Sequence, residues 1–65
     1  MLTEWELWAV AATVIRQHGD GVEYFVVERI GALALAGDQD GVAAWRQIAQ
    51  RVARLTAEPR SRADA

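Results

Sequence analysis

The sequence predicts an all-α fold, an up-down-up antiparallel three-helix bundle. The first observation behind this is a repeated break. Gly19-Asp20-Gly21 and Gly37-Asp38-Gln39-Asp40-Gly41 divide the chain into three apolar segments of similar length. In each break the glycine suits the left-handed residue that ends a helix, and the aspartate suits the cap of the next. The second observation is apolar spacing of helical rather than strand period within each segment. Connections this short between helices of about 15 to 19 residues predict antiparallel neighbours. Helices are expected at about 4–18, 21–36 and 39–57, forming one domain over 1–57, with 58–65 a disordered tail.

The first segment opens on Thr3-Glu4-Trp5-Glu6, where threonine and a glutamate three residues later form a capping box. Trp5, Trp8, Ala12 and Ile15 share one helical face, and Leu7, Val10, Ala11 and Val14 widen the apolar surface. Arg16, Gln17 and His18 give a polar last turn before Gly19. In the second segment Asp20 is the expected cap, with Glu23 closing a second box. Tyr24-Phe25-Val26-Val27 alone would suit a strand, but the Ala- and Leu-rich continuation to Ala36 decides for helix. Gly31 falls mid-helix, where glycine costs ~1 kcal/mol relative to alanine. Close approach of a neighbouring helix is the expected compensation. The third segment has the cleanest period: Val42, Trp45, Ile48, Ala49, Val52 and Leu55 form a narrow stripe behind an Asp38 cap. Trp5, Trp8, Phe25, Ile30, Trp45, Ile48 and Val52 are the expected core.

Sixty-five residues lie near the lower limit at which a chain buries enough surface to fold alone. With no cysteine and a single histidine, neither a disulfide nor a Cys/His metal site can form, and no cofactor or metal is expected. No stretch approaches the ~20 apolar residues of a membrane span. The longest apolar run follows Glu4 and Glu6, the wrong sign for a signal peptide, so a cytoplasmic protein is expected. The net charge of −2 divides unevenly, −5 over residues 1–40 and +3 over 41–65. Every basic residue is arginine, which with the high alanine content suggests a GC-rich bacterial genome.

No motif points to catalysis. Asp38-Gln39-Asp40-Gly41 resembles part of a calcium loop, but placing Gly41 sixth puts Ala36 first and Gln47 twelfth, where Asp and Glu are required. Helix capping is the better reading. His18 has only Asp20 as a nearby acidic partner, and the one serine, Ser61, lies in the tail. His18 is better read as a cation at a helix C-terminus, and the protein as a non-enzyme. Arg46, Arg51 and Arg54 could meet phosphates, giving an alternative reading as a small nucleic-acid-associated regulator. The acidic chain and the interspersed Gln47 and Gln50 favour instead a solvated face or one that pairs with the acidic half of a partner subunit. Helix 2 carries few charges and is apolar almost all round. One explanation is a central helix sandwiched by the other two. The other is an interface built on Tyr24, Val27, Leu33 and Leu35. The expected function is a protein-interaction module whose partner is itself, as a homodimer, with neither membrane nor nucleic acid as partner.

The run F-V-V-E-R-I-G-A-L-A-L-A-G-D-Q-D-G-V-A-A-W-R-Q-I-A over Phe25 to Ala49, with Trp5-Glu6-Leu7-Trp8-Ala9 and Gln17-His18-Gly19, resembles a family of short alphaproteobacterial proteins, sphingomonads in particular. The resemblance spans about residues 3–55 and implies a bacterial domain of unknown function, with no catalytic or binding residue to carry over.

Overall fold

Thr3 starts the first helix as its sequence predicts. Its hydroxyl accepts from the Glu6 amide at 3.1 Å, and the Glu6 carboxylate accepts from the Thr3 amide at 2.8 Å. α1 then runs Glu4–His18, with Glu4 and Glu6 in the first turn and Arg16 and His18 in the last, the charge order a helix dipole favours. The computed structural model describes residues 2–57, and the tail expected at 58–65 lies outside them.

The first break does not reverse the chain. Gly19, at φ +55°, donates its amide to the Ile15 carbonyl, and the Val22 amide in turn donates to Gly19. Gly19–Gly21 is thus a single 3-10 turn that carries the hydrogen-bond ladder forward into α2, Val22–Leu35. Asp20 does not cap α2. The residue before that helix is Gly21, and no side chain caps it. Residues 4–35 form one long bent helix, so the molecule is a helical hairpin and not an up-down-up bundle of three helices.

The second break does reverse it. The Asp38 amide donates to the Leu33 carbonyl at 3.0 Å and the Gly37 amide to Ala34 at 3.1 Å, the paired bonds of a Schellman stop. Gly37 takes the left-handed φ of +79° that this stop requires. The Asp38 carboxylate then accepts from the Gly41 amide at 2.8 Å and starts α3, Gln39–Thr56.

α3 packs along both halves of the bent helix, which share far fewer contacts with each other. The core consists of Leu7, Ala11 and Val14 from α1, Val22 and Val26 from α2, and Ile48 and Val52 from α3. Phe25, Ile30 and Trp45 pack against its edge, and Trp8 is half-buried. Trp5, expected in the core, is 76% exposed. The inner face of α1 is Leu7, Ala11 and Val14, because a helix apolar over most of its circumference does not mark its inner side by period alone. Gly31 also departs from expectation: among the described residues, no atom beyond its chain neighbours and its own helical backbone lies within 4 Å of where its Cβ would stand.

Candidate interaction face

With Leu7, Ala11 and Val14 turned toward α3, helical spacing turns Trp5, Ala9, Ala12 and Arg16 to the opposite side of α1. On α2, Val22 and Val26 face inward, which turns Tyr24, Val27, Glu28, Gly31 and Leu35 outward. Apart from Val27, which borders a shallow hollow shared with Ala49, Val52 and Ala53 of α3, both sets lie on the side of the bent helix remote from α3. Tyr24 is 70%, Val27 68% and Leu35 92% exposed. The Tyr24 hydroxyl donates to Glu28 at 3.1 Å. That bond, and then the carboxylate's charge, holds the phenol above its ordinary pKa.

Of the four interface residues expected from sequence, Tyr24, Val27 and Leu35 are exposed, while Leu33 is half-buried beside Gly41. Sequence reasoning missed Trp5, Ala9, Ala12 and Gly31. Their four-three spacing is visible in the sequence, but it becomes an outer face only once the inner one is known.

The arginines of α3 stand in different surroundings. Arg46 and Arg54 are exposed. Arg51 is half-buried, its Nη2 donating to the two Glu4 carboxylate oxygens at 2.7 and 2.8 Å. Its guanidinium carbon stands 5.6 Å from the Trp8 ring centroid, and Trp8 Nε1 donates to the same carboxylate at 2.9 Å. Arg51, then Trp8, hold the Glu4 carboxyl below its ordinary pKa. Arg51 Nε is enclosed with no hydrogen-bond partner. The acidic partner expected for this face in another subunit is thus supplied, for Arg51, within the chain.

His18 lies flat on Phe25, ring centroids 3.9 Å apart and planes 16° from parallel. Phe25 meets Trp45 edge-on at 5.9 Å, and Arg29 stands 5.6 Å over the Trp45 ring. This ladder joins the bend to α3 through packing. Between α1 and α3 lies an open hollow of about 440 Å³ lined by Leu2, Glu6, Leu7, Asp40 and Gln47. Among the described residues no polar side chain is buried, and no three His, Asp or Glu gather where a metal ion could sit.

The profile of a family of unknown function, DUF6961, matches residues 3–60. The chain belongs to this family. The match begins at the Thr3 cap and runs the full length of the hairpin, so the bent helix and its α3 brace are together the DUF6961 domain. No curated protein and no solved structure matches it. Among the described residues of this DUF6961 member, no helix is long and apolar enough to cross a membrane.

Proposed function

We propose that this DUF6961 chain is a non-enzymatic interaction module of an alphaproteobacterial cytoplasm that self-associates as a homodimer through the outer face of its bent helix. The carrying observation is Trp5, Tyr24 and Leu35, large side chains left mostly exposed on the side remote from α3. Trp and Tyr are the side chains most often found to anchor an interface, and here both stand on one face of one helix. A hairpin has one layer fewer than the expected bundle, which leaves this face without cover from the described helices. A nucleic-acid role for Arg46, Arg51 and Arg54 draws less support, because Glu4 and Trp8 already occupy Arg51.

Sedimentation equilibrium at micromolar concentration tests the proposal. The parent is expected to be a dimer, and Leu35→Arg a monomer with unchanged helical circular dichroism. A parent that stays monomeric at high concentration overturns it.

A further inference from the structure

The outer face matches itself when reversed. On α1 it comprises positions 5, 9, 12 and 16, and on α2 positions 24, 28, 31 and 35, so both halves carry the same four-three-four spacing. In an antiparallel pair of helices, the numbers of facing residues add to a constant. Here every pair adds to 40: Trp5 with Leu35, Ala9 with Gly31, Ala12 with Glu28, and Arg16 with Tyr24. We infer that the occupant of this face is a second copy of the chain, docked antiparallel about a two-fold axis at the Gly19–Gly21 bend, each α1 on the partner's α2. This rests on the self-association reading above and specifies its geometry.

The chemistry of three of the four pairs agrees with this register. Trp5 and the partner's Leu35 are both large and exposed, and two-fold symmetry provides that contact twice. Ala9 meets the partner's Gly31, two small residues where backbones can approach closely. The open space at Gly31, with no atom of the other described elements within 4 Å, then has an occupant. Arg16 reaches the partner's Tyr24 ring and, one turn along, the partner's Glu28, the carboxylate that already accepts from the Tyr24 hydroxyl within its own chain. A parallel two-fold pairing would instead set Arg16 against the partner's Arg16 and Glu28 against the partner's Glu28, repelling at both. The outer side of α3 offers no equivalent, since Arg46, Gln50 and Arg54 are exposed along it.

The chain has no cysteine, so single cysteines can map the register. Ala9→Cys and Gly31→Cys are made separately, checked for parent-like circular dichroism, and oxidised alone and mixed. In the proposed dimer, position 9 lies beside the partner's position 31, within the ~7 Å between Cα atoms that a disulfide tolerates. It stands about 33 Å along the helix from the partner's position 9, from a 1.5 Å rise over 22 residues. The mixture is expected to yield a disulfide-linked heterodimer, and each variant alone no cross-link. Cross-linking of each variant with itself, or no cross-link in a mixture that sediments as a dimer, overturns the antiparallel register and leaves self-association standing. A monomeric parent overturns both.

Discussion

A methyl group added at Gly41 would stand 2.7 Å from Asp38 Oδ2, which would have to shift, and in a tight 3.1 Å contact with Leu33 Cδ2. At Gly31 the same methyl would meet nothing. The two glycines therefore separate intrinsic helix propensity from the fit of a cap. In the monomer at low concentration, Gly31→Ala is expected to stabilise by about 1 kcal/mol, the usual propensity difference. Gly41→Ala displaces the carboxylate that accepts from its own amide, at a cost of about 1 kcal/mol or more, and is expected to be neutral to destabilising. Urea denaturation of both variants measures the contrast, and equal stabilisation would count against the Asp38 cap. Trp45 makes a third case. It is half-buried, edge-on to Phe25 and beneath Arg29. Trp45→Ala is expected to cost about 2–3 kcal/mol, short of the ~3–5 kcal/mol of a fully buried aromatic. Thermal melts followed by circular dichroism give the value.

At the level of single helices, what could be read from sequence was what is local. The Thr3 box and the Asp38 cap each close within three residues, so their letters suffice. The inner stripe of α3 was equally plain, because polar residues frame Ile48 and Val52. On α1 no such frame exists, and Trp5 was assigned inward when Leu7, Ala11 and Val14 hold that side. The outer face was legible in part for the same reason: Tyr24, Val27 and Leu35 follow from a helix apolar all round, whereas Trp5 does not. The bond between Glu4 and Arg51 joins residues 47 apart and has no local signal. It does have a pH signature. Because Glu4 titrates below its ordinary value of 4.5 when folded, its stabilising effect is complete above that pH and is lost as pH falls through the folded value. The melting temperatures of the parent and Glu4→Gln are expected to differ at neutral pH and to converge on acidification. Parallel curves would show that the pair contributes nothing.

For the molecule as a whole, the same Gly-Asp letters bend the chain once and reverse it once. Read as two reversals, those letters give three helices side by side. The difference lies in hydrogen bonding: the Gly19 turn hands its ladder on to Val22, while Gly37 closes the ladder back on Leu33 and Ala34. One consequence concerns how the molecule opens. α2 and α3 are tied by a tight turn, whereas α1 is held by its packing on α3 and by a 3-10 hinge with no side-chain cap. Opening is therefore expected to begin with α1 leaving α3, against the Glu4–Arg51 pair, while the turn keeps α2 and α3 together. Cooperative units of this kind release their amides at separate free energies. Native-state hydrogen exchange is expected to show the Leu7–Val14 amides opening as a group, before those of Val26 and Ile48.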